Sequence, residues 1–80
     1  MNQEIYGKIE RILREECRVT ADIRPESRLA EDLGLDSMGI LTLALELEND
    51  YRIQLGEDPD DPPQTLAEVV RLVRERLEER

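Results

Sequence analysis

The stretch Asp32–Tyr51, DLGLDSMGILTLALELENDY, decides how the rest of the chain is read. It opens on a polar turn and continues as a helix whose apolar residues occupy two faces. At about 100° per residue, Ile40, Leu43, Ala44, Leu47 and Tyr51 fall on one side, the side expected to face a core. Met38, Leu41 and Leu45, spaced i, i+3, i+7, form a second stripe nearly opposite, for which a small bundle has no obvious need. Asp36 and Ser37 stand at the mouth of this helix, an acid and a hydroxyl side by side.

Upstream, Ile5, Ile9, Ile12, Leu13 and Cys17 recur at helical spacing, which predicts an amphipathic helix from about Gln3 to Cys17 with Asn2 as its cap. From Arg18 to Asp36 the period breaks. Pro25 fixes one bend and disfavours helix at Arg24. Val19, Ile23, Leu29, Leu33 and Leu35 make this connection too apolar for a free linker, so it is expected to tuck under the bundle. The Asp32–Tyr51 helix should end near Arg52. Ile53 and Leu55 are too few apolar positions to make a strand, and Gly56 stops the run.

The segment GEDPDDPPQ that follows holds three of the four prolines and four acids. It reads as a stiff, solvated acidic loop with at most one helical turn. Thr65 followed by Glu68 then announces a last helix through a capping box. Leu66, Val69, Val70, Val73 and Leu77 hold one face of it, and the terminal ERLEER is expected to fray. The expected architecture is all-α: three main helices in one domain, residues 1–80.

Eighty residues bury roughly 60% of their unfolded surface, which leaves no room for a large enclosed active site. Two tyrosines and no Phe or Trp leave the core to Ile, Leu and Val. A net charge of −9 disfavours nucleic acid and anionic membranes and points to protein partners with basic surfaces. The absence of His closes imidazole catalysis and His metal sites. Paired carboxylates at Asp60 and Asp61 or Glu78 and Glu79 fall in a solvated loop and a chain end rather than an enclosed site, so no enzyme is expected. The single Cys17 excludes an intramolecular disulfide, fits a reducing cytoplasm and continues an apolar face, so a buried packing role is expected. No apolar run is long enough to span a membrane, and no signal peptide is visible.

Asp36 or Ser37 could serve simply as the helix cap. A hydroxyl at a helix start is equally well sited to carry a phosphate ester, because the free backbone donors and the helix dipole favour negative charge there. The exposed stripe beside it would then be a docking face.

The run Glu31-Asp32-Leu33-Gly34-Leu35-Asp36-Ser37-Met38 resembles the signature of acyl carrier proteins, and Glu46, Leu47, Glu48 and Tyr51 continue the likeness across an acidic chain of matching size and helix order. The resemblance implies an acyl-carrier-like bundle with 4'-phosphopantetheine, taken from coenzyme A, on Ser37. It implies that Asp36 assists the transferase and helps place metal and phosphate during transfer. By position, Met38, Leu41 and Leu45 would meet partner enzymes, with acidic contacts from Glu46, Glu48 and Asp50. Leu43, Leu47, Leu55 and Val70 would line a core cavity able to shelter an acyl chain. The implied partners are a phosphopantetheinyl transferase, an acyl-loading ligase or acyltransferase, and a ketosynthase or similar enzyme, serving a monomeric cytoplasmic carrier.

Two departures stand out. Fatty acid carriers usually have acids where this chain has Gly39 and Thr42. The family's short helix before the last one falls on Pro59, Pro62 and Pro63, which should shorten or abolish it, and Pro63 replaces an expected core residue. These features fit a specialised carrier of a secondary-metabolite, polyketide-like or other dedicated acyl pathway. Two alternatives remain. The Asp-Ser-Met-Gly order is also similar to D-alanyl carriers, although their tryptophan before the last helix is missing here. The chain could equally be an unmodified interaction module that uses the Ser37–Tyr51 helix.

Overall fold

The computed structural model describes residues 2–55 and 63–79, and within them three helices: α1 (Asn2–Glu15), α2 (Ser37–Tyr51) and α3 (Leu66–Glu78). The acidic loop expected around Pro59 and Pro62, with Gly56, Asp60 and Asp61, lies outside the described residues. α1 packs against both α2 and α3. Ile5, Ile9, Ile12 and Leu13 of α1 meet Leu43, Ala44 and Leu47 of α2 and Leu66, Val69 and Val73 of α3 in one core. The apolar periodicities therefore face inward as the sequence implies.

α1 differs from expectation at both ends. Asn2 is its first helical residue rather than its cap, and the helix stops at Glu15 instead of Cys17. The stop is made without glycine: Arg18 takes a left-handed conformation, φ 58°. The Cys17 N–H reaches back to Ile12 O at 3.2 Å and the Val19 N–H to Leu13 O at 2.9 Å, which occupies the carbonyls the helix end leaves open. Arg14 secures the turn by donating to Val19 O and Ala21 O, both at 3.1 Å.

The long connection is ordered by its apolar side chains and by a tight turn. Val19, Leu29, Leu33 and Leu35 are buried and Ile23 packs on the core. The Tyr6 hydroxyl pins the loop by donating to Ile23 O at 2.7 Å. At Arg28–Leu35 the chain reverses: Asp32 accepts the Arg28 N–H at 2.8 Å and holds the Arg28 guanidinium through both carboxylate oxygens. Gly34 supplies the positive φ of 71° that the turn requires. Asp32-Leu33-Gly34-Leu35 is thus a device that buries two leucines and aims the chain into α2.

The same connection straps the start of α3. Leu29 N–H donates to Gln64 O, Leu66 N–H to Ser27 O and Ala67 N–H to Pro25 O, at 2.9, 3.0 and 2.8 Å, around an antiparallel bridge between Arg28 and Thr65. Thr65 caps α3 through the Glu68 N–H at 3.3 Å. The reciprocal half of the expected capping box is displaced by one residue: Glu68 accepts from Gln64 N–H, at 2.6 Å. The far end of α3 is held rather than frayed, because Arg76 donates from Nε and Nη2 to Leu55 O at 3.3 and 3.2 Å.

Candidate functional site

The two well-defined helix starts are finished differently. At α3 the loop carbonyls and Thr65 take up the N–H groups of Leu66, Ala67 and Glu68. At α2, Asp36 Oδ1 accepts the Gly39 N–H at 2.8 Å and Asp36 O accepts the Ile40 N–H at 3.0 Å. The N–H groups of Ser37 and Met38 meet no acceptor among the described residues. Asp36 is therefore the cap, and Ser37 is the first helical residue.

The chain has two serines. Ser27 is buried, and its Oγ accepts the Arg24 N–H at 2.9 Å. Ser37 is exposed, and its hydroxyl has no partner among the described residues. Only Ser37 can be approached by another molecule without disturbing a bond of the fold.

Met38, Leu41 and Leu45 are 67%, 44% and 55% exposed, so the second stripe does face outward beside Ser37. The acids named with it are differently placed. Glu48 Oε2 accepts the Leu55 N–H at 3.0 Å, and Asp50 lies 3.6 Å from Lys8 Nζ. Glu46 is half-buried, and no hydrogen bond or ion pair holds it among the described residues. Thr42 returns its hydroxyl to Met38 O at 2.8 Å. The first turns of α2 thus present apolar side chains, with Asp36 as the acid at their start.

Gly39 has a packing reason. A Cβ there would sit 3.1 Å from Leu35 Cδ2 and 3.4 Å from Asp36 Oδ1. Cys17, expected to be a buried packing residue, packs on the core but is only half-buried, with Sγ 3.7 Å from Gly39 O. Burial, followed by the charges of Glu16, Asp36 and Glu46, pushes its thiol pKa up. Its sequence separation of twenty-two residues from Gly39 left no local signal of this proximity.

Leu43, Leu47 and Leu55 line a core cavity together with Leu29, Ile40, Ala44, Pro63, Val69 and Leu72, but its volume is about 20 Å³. Val70 is not among them. One residue along α3 is a rotation of about 100°, which brings Val69 to the cavity. Val70 instead lines a separate groove of about 570 Å³ with Gln3, Tyr6, Pro25, Ala67, Arg71 and Arg74. Pro63, read from sequence as a lost core position, lines the cavity wall. It also borders an outer cleft of about 280 Å³ with Arg28, Leu29, Ala30, Glu31, Ile40 and Gln64. Among the described residues no helix is long and apolar enough to cross a membrane.

Known proteins place this arrangement. The sequence pattern of the family described as "Phosphopantetheine attachment site" matches residues 7–62. An acyl carrier protein of a Picosynechococcus strain is 34% identical over 77 residues, covering 95% of each chain. That of Amoebophilus asiaticus is 36% identical over 78 residues, covering 96% of this chain and 98% of its own. That of Chlorobium phaeovibrioides is 34% identical over 68 residues, covering 84% and 87%. With its three-helix bundle and the matched span, the chain belongs to the acyl carrier protein family, a carrier rather than a catalyst, and that membership implies a 4'-phosphopantetheine prosthetic group.

Proposed function

We propose that this carrier bears its phosphopantetheine on Ser37 and presents thioester-bound acyl intermediates to successive enzymes of a dedicated acyl pathway. The observation that carries the reading is the division of labour at the start of α2: Asp36 closes the helix and the exposed Ser37 hydroxyl stays free of any bond to the described fold. The residues fit the group. A phosphodiester on Ser37 would lie against the open N–H groups of Ser37 and Met38, at the helix end whose dipole favours an anion. The bound arm supplies a thiol that holds cargo as a thioester.

Asp36 serves twice in this reading. Oδ1 is committed to Gly39, while Oδ2, with no partner among the described residues, is left for the transferase. Met38, Leu41 and Leu45 form the docking face for that transferase, for a loading ligase or acyltransferase, and for a ketosynthase-like partner. Glu46 is the acid best placed to add a charged contact, because Glu48 and Asp50 are engaged within the fold. The apolar, acid-poor first turns, with Gly39 and Thr42, support a specialised pathway.

Incubation with coenzyme A and a broad-specificity phosphopantetheinyl transferase, read by intact mass, tests the reading. One phosphopantetheinyl group should be added to the wild type and none to Ser37→Ala. No gain in the wild type, or a gain that persists in Ser37→Ala, overturns it; the first outcome, with partner binding intact, would favour an unmodified interaction module.

A further inference from the structure

The groove of about 570 Å³ between α1 and α3 has no part in the site at Ser37. Tyr6 of α1, Pro25 of the connection and one stripe of α3, formed by Ala67, Val70, Arg71 and Arg74, line it. Those four stand at i, i+3, i+4 and i+7, so they share a face of α3 over a rise of about 10 Å, or two turns. No lining residue belongs to α2.

The floor of the groove is set by bonds of the fold itself. The Tyr6 hydroxyl donates to Ile23 O at 2.7 Å and the Ala67 N–H to Pro25 O at 2.8 Å, which fixes the aromatic ring on one element and the proline against another. Tyr6 and Val70 are half-buried, and Pro25 and Ala67 are exposed. An occupant therefore meets a preformed apolar surface and has little of the carrier to order.

Its charge runs against that of the molecule. The chain has 20 acids to 11 bases, yet two arginines and no acid line this groove. Arg71 meets Glu75 at 3.8 Å, with the two side chains 65% and 51% exposed, a pairing too solvated to hold the guanidinium strongly. Glu68, the acid of the first turn of α3, is turned to the Gln64 N–H. A guanidinium presents forked donors that match a carboxylate, so the rim suits an acidic visitor and the floor an apolar one. A trough two helical turns long is the length over which a helix offers an apolar ridge at i, i+4 and i+7.

We propose that the groove between α1 and α3 is a second docking surface, and that its occupant is an acidic amphipathic helix of a partner protein. Apolar side chains of that helix lie over Tyr6, Pro25, Ala67 and Val70, and its carboxylates meet Arg71 and Arg74. This surface shares no residue with the stripe of Met38, Leu41 and Leu45, so a partner held here tethers the carrier and leaves α2 to other enzymes. It does not depend on what Ser37 carries.

The test uses two stapled helical peptides with the same leucine ridge, one flanked by glutamates and its twin by lysines, titrated into the full chain and followed by NMR. The glutamate peptide should shift the Tyr6, Ala67 and Val70 signals, more weakly as salt rises, and the lysine twin should leave them in place although the net charge of −9 favours it. The double variant Arg71→Glu, Arg74→Glu, its fold checked by an otherwise unchanged amide spectrum, should bind the glutamate peptide at least about tenfold more weakly and let the lysine twin shift Ala67 and Val70. The proposal is overturned if the glutamate peptide moves none of the three signals, moves those of Met38, Leu41 and Leu45 instead, or binds the double variant as tightly. Movement of the same three signals on raising the protein concentration alone would give the groove to a second copy of the chain and overturn it too.

Discussion

Asp36 Oδ1 accepts the Gly39 N–H at 2.8 Å, and that bond closes the start of α2 without recruiting the serine between them. The fold asks nothing of the Ser37 hydroxyl, so the residue can be given wholly to chemistry.

The cap bond makes a first prediction. Asp36→Ala should lower the unfolding free energy by about 1 kcal/mol, and Asp36→Asn, which keeps an acceptor oxygen, by only a few tenths. Urea denaturation of both variants checks it; equal losses would mean that charge, not capping, is what Asp36 contributes to stability.

Two helical glycines give a paired prediction. Open space surrounds the position a methyl group would take at Gly7, so Gly7→Ala should gain about 0.8 kcal/mol from helix propensity. At Gly39 the same gain is opposed by contact with Leu35 Cδ2 at 3.1 Å, and Leu35 is buried. Gly39→Ala should therefore gain less than half as much as Gly7→Ala, about 0.4 kcal/mol at most, read from urea midpoints at constant slope.

Arg76 ties the end of α3 to the segment after α2 through Leu55 O. Arg76→Ala should cost about 1.5 kcal/mol, because it leaves that partly buried carbonyl without its charged donor. Amide exchange offers a second check: the Leu55 N–H, held by Glu48, should exchange faster in the variant.

Asp32 should make stability pH-dependent. Its carboxyl is held below the ordinary value of 3.8 by the Arg28 side chain first and the Arg28 N–H second. Because the folded value is the lower one, the stabilisation is present above pH 3.8 and is lost as pH falls through the folded value. Asp32→Asn should have a lower urea midpoint than the wild type at pH 7 and at pH 5, and the difference should shrink at pH 3.

Much of the bundle was legible in the chain because Ile5 to Leu13, Ile40 to Leu47 and Leu66 to Val73 each repeat at helical spacing, and burial follows that spacing. The exposed stripe of Met38, Leu41 and Leu45 was legible for the same reason. What escaped depended on contacts distant in sequence or on small rotations. The left-handed stop at Arg18 uses arginine where glycine would have announced it, whereas α2 stops beside Arg52 as its spacing implies. The Glu68 carboxylate turns to Gln64 in a segment already paired with residues 27–29. Glu48 and Asp50 looked like free surface acids, yet Leu55 and Lys8 engage them from other elements. The choice between Val69 and Val70 hung on a single step around α3.

The most direct test of the central claim is fragment mass spectrometry of the protein isolated after loading, since its two serines lie in very different surroundings. One phosphopantetheinyl group should be found on Ser37, and Ser27→Ala should load as fully as the wild type. A group on Ser27, or on neither serine, would contradict the assignment.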